Sequence, residues 1–185
     1  MYSQIQQTLY EMFTDRRYDQ ITYLPQKHTD FDIMIKAKKN DMHVKAFYTT
    51  KKIGKNEMIK FFELSVESEQ THILLISHDD LTSSAKTVLA DKQQNGSRIE
   101  FFLARQLYFN ISKHVFQPTF RLLSEEETDV LLKQLQCKLI QLNKIHRHDP
   151  MVRYYDAQPK QVFEIRRNTM RGDRHDIGIS YRVVV

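Results

Sequence analysis

The sequence predicts an α/β (α+β) protein made of two small domains, and three features carry that prediction. Helical and strand periodicities alternate through the first hundred residues, as they do where helices cover a small sheet. A firm helix-start signal at Ser124 then opens a second unit, which closes in strand-like runs at 161–167 and 177–185. The 185 residues, 41% hydrophobic and 28% charged, suffice for two small cores.

The elements follow in order. Residues 3–14 place Ile5, Leu9, Met12 and Phe13 on one helical face. Strands at 31–37 and 42–48 flank the polar turn Lys38-Lys39-Asn40-Asp41. In the second strand, alternation sets Met42, Val44, Ala46 and Tyr48 against His43, Lys45 and Phe47. Helical spacing returns at 56–68 through Met58, Ile59, Phe62 and Val66. The continuous apolar run at 71–77 reads as a strand covered on both faces. A helix at 82–93, with Ala85, Val88 and Leu89 inward, and a strand at 98–103 complete a first domain spanning 1–113.

The second domain, 114–185, begins with a capping box. Ser124 accepts from an orphan N–H of the helix and Glu127 reaches back. Glu125, Glu126 and Glu127 also sit at the positive end of the helix, and Val130, Leu131, Leu132 and Leu135 supply its apolar stripe. Asp149-Pro150 marks another helix start, because proline at the first helical position has no needed N–H to lose. The strands at 161–167 and 177–185 pair as a hairpin around the polar loop 168–176. Val183-Val184-Val185 ties the end of the chain into a core or a partner.

Composition excludes several classes. The single cysteine, Cys137, allows neither a disulfide framework nor a thiolate zinc cluster, and its apolar helical neighbourhood predicts a buried structural thiol. No apolar run approaches the roughly 20 residues of a membrane helix. The N-terminal stretch does not read as a secretory signal, so an intracellular protein is expected. The net charge of +5 is concentrated: residues 1–112 carry 15 basic against 14 acidic side chains, and residues 113–185 carry 13 against 9. The basic C-terminal part could meet nucleic acid or an acidic protein face.

Candidate chemistry is sparse. His146, His148 and Asp149, with His175 and Asp176 later, lack zinc-ligand spacing and sit beside Lys144 and Arg147. Asp32 followed by His43-Val44-Lys45 resembles a magnesium-nuclease layout, but His43 stands where the second carboxylate should be. Glu11 or Glu57 would have to replace it in space. The four glycines, at 54, 96, 172 and 178, form no phosphate-cradling loop, and no serine elbow is present. Arg153, Lys160, Arg166, Arg167, Arg171, Arg174 and Arg182, interleaved with Tyr154, Tyr155 and Tyr181, could anchor a protein surface or touch phosphates. A solvated face with a few salt bridges is the simpler alternative. From physics alone the chain is a two-domain interaction module.

The segment 141–169 with 179–185 carries more. Leu142, Ile145, Asp149-Pro150, Arg153-Tyr154-Tyr155, Gln161-Val162, Ile165, Arg167 and Tyr181-Arg182-Val183-Val184, preceded by His114, Leu122 and Ser124-Glu125-Glu126, resemble the C-terminal assembly domain of the RPB5 family of RNA polymerase subunits. The archaeal counterpart in that family matches this domain alone. Asp15-Arg16 with Tyr18, Leu81-Thr82 ahead of Ala85-Lys86, Ile99-Glu100-Phe101, and Leu107 with Phe109-Asn110-Ile111 resemble the jaw domain of the eukaryotic-type subunit. The family pattern has Pro-Arg at Asn143-Lys144 and Gly at Asp156 and Lys160, which implies altered turns at 156–160. The hairpin loop before Tyr181 is about three residues longer than that pattern. Such drift fits a divergent lineage, such as a large DNA virus with its own polymerase.

The resemblance implies a non-catalytic subunit with no cofactor, metal or active site of its own, present as one copy per complex. Its N-terminal domain would have a nuclease-like α/β fold and form a lower jaw. Its small mixed-sheet C-terminal domain would dock on the largest polymerase subunit, near other small subunits, using Leu142, Ile145, Asp149, Pro150, Arg153, Tyr154, Tyr155, Gln161, Arg167, Tyr181 and Arg182. Lys27, Lys51, Lys52 and Lys55 are the candidates for non-specific proximity to downstream duplex DNA. The expected location is the nucleus for a cellular protein, or host cytoplasm and virion for a viral one. The alternatives are a free-standing polymerase-associated transcription factor and a magnesium-dependent nuclease.

Overall fold

A computed structural model describes residues 2–26, 31–39, 42–65, 71–171 and 174–185. It has the expected α+β character, with two sheets in two compact units, Met1–Phe109 and Asn110–Val185. None of its described helices is long and apolar enough to cross a membrane.

The first unit opens with α1 (Tyr2–Asp15), which buries Ile5, Thr8, Leu9, Met12 and Phe13 at helical spacing. Arg17 ends it in a left-handed conformation (φ 61°). The Tyr18 N–H donates to the Phe13 carbonyl and the Arg17 N–H to that of Thr14, both at 2.9 Å, which is a Schellman cap without glycine. Next come β1 (Asp19–Gln26), β2 (Asp32–Lys39), β3 (Met42–Thr49), α2 (Lys55–Ser65), β4 (Thr71–Ser77), α3 (Ser83–Gln94) and β5 (Ile99–Leu103). The strands lie in chain order, antiparallel through β1–β2–β3 and parallel through β3–β4–β5.

One strand was not predicted, and two sequence expectations need correction here. Strand β1 lacks a readable pattern, because Pro25, a left-handed Gln20 (φ 51°) and two register shifts break it; an edge strand tolerates all three. Strand β3 does not alternate. Val44, Lys45, Ala46 and Phe47 are all buried, because the third of five strands is covered on both faces. In α2, Ile59 faces solvent while Met58, Phe61 and Phe62 are buried. The expected Asn40-Asp41 turn and Val66 lie outside the described residues. Strand β4 is buried on both faces as expected, with Ile73 and Leu75 packing into the core of α2 and α3 around Phe61, Ala85 and Leu89.

His72, of opposite parity on β4, enters a buried polar cluster instead. Glu100 on β5 receives both Arg16 guanidinium nitrogens, at 2.7 and 3.0 Å, and lies 2.8 Å from His72 Nε2. His72 Nδ1 lies 3.1 Å from the Tyr18 hydroxyl. The Arg16–Glu100 pair is thus bidentate, and His72 stands between its carboxylate and the Tyr18 hydroxyl. Burial works to raise the Glu100 carboxyl, but the Arg16 charge, with hydrogen bonds from His72 and Arg16, lowers it from 4.5 to about 2.

The second unit contains β6 (Thr119–Leu122), α4 (Glu125–Gln134), β7 (Asn143–Ile145), α5 (Pro150–Tyr155), β8 (Val162–Arg171) and β9 (Arg174–Val184). Its sheet runs β6–β8–β9–β7, antiparallel except for β9–β7. The Ser124 capping box forms as the sequence predicts: Ser124 Oγ accepts from the Glu127 N–H at 3.1 Å, and Glu127 accepts from the Ser124 N–H at 2.9 Å. Asp149 caps α5 by accepting from the Met151 N–H at 2.9 Å. Neighbouring residues split between the two faces. Val162 and Val183 pack with Leu123 and Leu131 of the α4 side, while Phe163 and Val184 pack with Ile145, Val152 and Ala157 of the α5 side.

Other expectations shift in this unit. Of the α4 stripe only Leu131 is buried; Leu132 is half-buried, and Val130 and Leu135 are exposed, because α4 touches the sheet along a narrow line. Cys137 follows the helix and is half-buried rather than enclosed. The expected loop 168–176 is mostly ladder, with β8 and β9 paired out to Arg171 and Arg174. The turns at 156–160 place two non-glycine residues at positive φ. Asp156 (φ 50°) and Lys160 (φ 74°) hold the left-handed backbone that glycine adopts freely.

Two stability measurements test this description. Lys160→Gly relieves the left-handed strain of an exposed side chain and should stabilise the C-terminal unit by about 1 kcal/mol, read as a higher melting temperature; destabilisation would contradict the assigned backbone. In the N-terminal unit, Glu100 has a depressed folded value, so its contribution is present above its unfolded value near 4.5 and lost as pH falls toward about 2. Acid unfolding should steepen in that window, and Arg16→Met, which strands a buried carboxylate, should cost roughly 3–5 kcal/mol. Wild-type acid stability in Arg16→Met would contradict the cluster.

Candidate functional site

Most of the C-terminal candidates are builders of their own unit. Ile145 is buried in the α5-side core and its carbonyl accepts from the Val185 N–H at 2.9 Å. Asp149 and Pro150 start α5, as cap and first helical residue. Tyr154 is buried, and its hydroxyl accepts from Asn110 Nδ2 at 3.0 Å. Tyr155 donates its hydroxyl to the Phe120 carbonyl at 3.1 Å and packs its ring against Phe163 at 5.7 Å. Gln161 closes the preceding turn by accepting from the Gln158 N–H at 2.7 Å. Leu142 and Tyr181 are half-buried against the α4-side core, and Arg153 is half-buried on α5. Arg167 is exposed on β8, opposite Gly178, and Arg182 is half-buried on β9, between Phe163 and Asn143.

One charge cluster in this unit has no signature in the sequence. Glu164, nearly buried on β8, accepts from Arg166 Nε at 2.6 Å and Arg121 Nη2 at 3.0 Å; Arg121 Nη1 also reaches Glu127 at 2.5 Å. Burial pushes the Glu164 carboxyl up, but the two arginine hydrogen bonds outweigh it and hold the group below its ordinary value. The capping box of α4 is thereby joined to β6 and β8. Alternation alone could not have found this cluster, since Arg121 and Glu164 are adjacent only through strand pairing.

In the N-terminal unit, Lys51 and Lys52 lie on the loop after β3, and Lys55 is the first residue of α2; all three are exposed. Lys27 lies outside the described residues. The loop is held to the one after β4: the His78 N–H donates to the Thr49 carbonyl at 3.2 Å and the Thr82 N–H to the Ile53 carbonyl at 3.3 Å. Because β3 and β4 are parallel, α2 and α3 both begin on this edge, and their positive ends add to the lysine charge. Asp80 is tied up there by Lys86 at 2.8 Å; that hydrogen bond, with one from the Leu81 N–H, outweighs the upward push of burial and holds its carboxyl below its ordinary value.

The residues of the nuclease-type pattern are not brought together. Asp32 lies opposite Tyr48 and His43 opposite Lys38, at the two ends of the β2–β3 ladder, a span of about 17 Å at strand rise. Glu57 accepts from the Gly54 N–H at 3.0 Å, and Glu11 from Gln7 at 2.9 Å. His146 and His148 stack on each other with ring centroids 5.0 Å apart.

Comparison with known proteins joins these observations. The family model described as RNA polymerase Rpb5, C-terminal domain, matches residues 109–184. A Dictyostelium discoideum protein named DNA-directed RNA polymerases I, II, and III subunit rpabc1 is 26% identical, over 98% of this chain and 96% of its own length. The Arabidopsis thaliana protein named DNA-directed RNA polymerases IV and V subunit 5B is 27% identical, over 96% and 86%. DNA-directed RNA polymerase subunit Rpo5 of Pyrococcus horikoshii is 42% identical over 77 residues, which make up 42% of this chain and 90% of the archaeal protein. The chain belongs to the Rpb5/Rpo5 family of DNA-directed RNA polymerase subunits.

Proposed function

We propose that this chain is a non-catalytic subunit of a multisubunit DNA-dependent RNA polymerase. Residues 110–185 dock it on the largest subunit, and residues 1–109 form a lower jaw beside downstream duplex DNA. The observation that carries this reading is the small archaeal relative. A stretch of 77 residues accounts for 90% of a protein named as a polymerase subunit, and the family model falls on 109–184. What such a subunit needs to join its enzyme is therefore assigned to the C-terminal unit, and the N-terminal unit is free for another task.

That other task follows from charge. Lys51, Lys52 and Lys55 gather at the edge where α2 and α3 begin, and a cationic edge beside a duplex attracts phosphates without reading sequence. The magnesium-nuclease alternative has little support, since Asp32 and His43 lie at opposite ends of their ladder. The free-standing factor differs from the subunit only in stoichiometry and exchange. In a cellular source the chain would act in the nucleus; in a large DNA virus it would act in host cytoplasm and be packaged in the virion.

Two variants in the purified polymerase test the division of labour. Replacing Lys51, Lys52 and Lys55 with alanine should leave assembly intact and make the salt dependence of downstream-duplex binding shallower, by up to about 0.9 in log–log slope for each phosphate no longer neutralised. An unchanged slope would contradict the jaw role. Arg167→Glu, on an exposed side chain, should reduce retention of the chain in the enzyme at high salt, and full retention would remove Arg167 from the docking surface.

A further inference from the structure

The outer edge of β9 is open where its inner edge is not. Strand β8 lines one side of β9 from Arg174 to Val183, whereas β7 covers the other side only at Arg182–Val184. Among the described residues, no strand lies against that outer side before Arg182. Register decides which backbone groups face it. The Val162 carbonyl accepts from the Leu123 N–H at 3.0 Å, so Val162 turns toward the β6 side. In an antiparallel ladder the N–H and C=O of one residue point the same way, and the direction alternates along the strand. Val162, Glu164 and Arg166 thus turn away from β9, and their partners Val183, Tyr181 and Ile179 turn away from β8. Val185 shares this parity and does bond outward, donating to the Ile145 carbonyl and accepting from the Arg147 N–H, both at 2.9 Å. The Asn143 N–H takes the Tyr181 carbonyl where β7 begins, so Ile179 offers its N–H and C=O, and Tyr181 its N–H, to the open edge.

Nothing in the side chains blunts this edge. Residues 177–181 read Ile-Gly-Ile-Ser-Tyr, with no proline and no charge, and Ile177 and Ile179 are 62% and 52% exposed. Protein edges left bare are normally protected by lysine, proline or a bulge. Gly178 leaves room for another backbone to come close. At the inner end of the opening, Arg182 has a buried Nε with no hydrogen-bond partner among the described residues. A buried cationic donor is costly until an acceptor reaches it, and a carboxylate is the strongest one available.

We propose that the outer edge of β9 at Ile179–Tyr181 receives an extended segment of another polymerase subunit, added as a strand in line with β7 and bringing a carboxylate to Arg182. The proposal rests on the reading of this chain as a polymerase subunit. Edge amides call for an extended backbone, the two isoleucines for apolar side chains on the matching face, and Arg182 for an Asp or Glu.

Amide hydrogen exchange on the full chain, free and within polymerase isolated through a tagged copy, tests this directly. The Ile179 and Tyr181 amides should exchange at least tenfold more slowly in the enzyme than in the free chain. Ile179→Pro removes an outward N–H and spares the β8 ladder, so it should lower high-salt retention about tenfold while the free chain melts as wild type. Arg182→Gln should lower retention in the same direction. If polymerase is recovered and exchange at these amides is equal in both states, the inference falls and the subunit reading stands. If no polymerase is recovered, the subunit reading falls and takes the inference with it. Equal protection in a dimer of the free chain, or with duplex DNA alone, would also overturn it.

Discussion

Two strands of ten and eleven residues, β8 and β9, run side by side through the C-terminal unit, and the other elements of that unit take their places from them. Their pairing puts Val162 and Val183 on one face and Phe163 and Val184 on the other. One sheet can therefore hold α4 and α5 on opposite sides. The same pairing gives four-residue β6 and three-residue β7 a ladder to join, since strands that short have no stability of their own. Glu164 on β8 then draws Arg121 of β6 and Arg166 together, and through Glu127 the start of α4 as well.

The N-terminal unit relies on a different device. Its parallel strands bury both faces, and Glu100 and Arg16 sit in that interior as a bidentate pair with His72 against the same carboxylate, rather than as isolated charges. A buried ion pair contributes modestly to stability but is demanding about geometry, because any displacement leaves a charge without its partner. The cluster thus fixes the end of α1 against β4 and β5. This unit also presents its lysines from loops laced together by backbone hydrogen bonds, so their positions are set by the sheet rather than by loose chain.

Sequence exposed the local signals well. The Ser124 box, the Asp149-Pro150 start, the face of α1 and the doubly covered strand at 71–77 all depend on residues within a few positions of one another. It missed what depends on distant partners. Strands β6 and β7 exist because β8 and β9 accept them, Lys45 is buried because its strand is central, and Arg16 meets Glu100 across 84 positions. The family motif was legible as a string, but its residues have mixed work. Asp149, Tyr154, Tyr155 and Gln161 hold the unit together, whereas Arg167 is exposed and open to a different role. The left-handed backbone of Asp156 and Lys160 was not legible either, since neither residue type announces it as glycine would.

In the proposed role, joining the enzyme and facing nucleic acid fall to separate units of one chain. The most direct test expresses residues 110–185 alone, tagged, in the native source, and quantifies co-purified polymerase after a high-salt wash. The account predicts one copy per largest subunit, with circular dichroism confirming a folded fragment. A folded fragment that recovers no polymerase, while the full chain does, would contradict it.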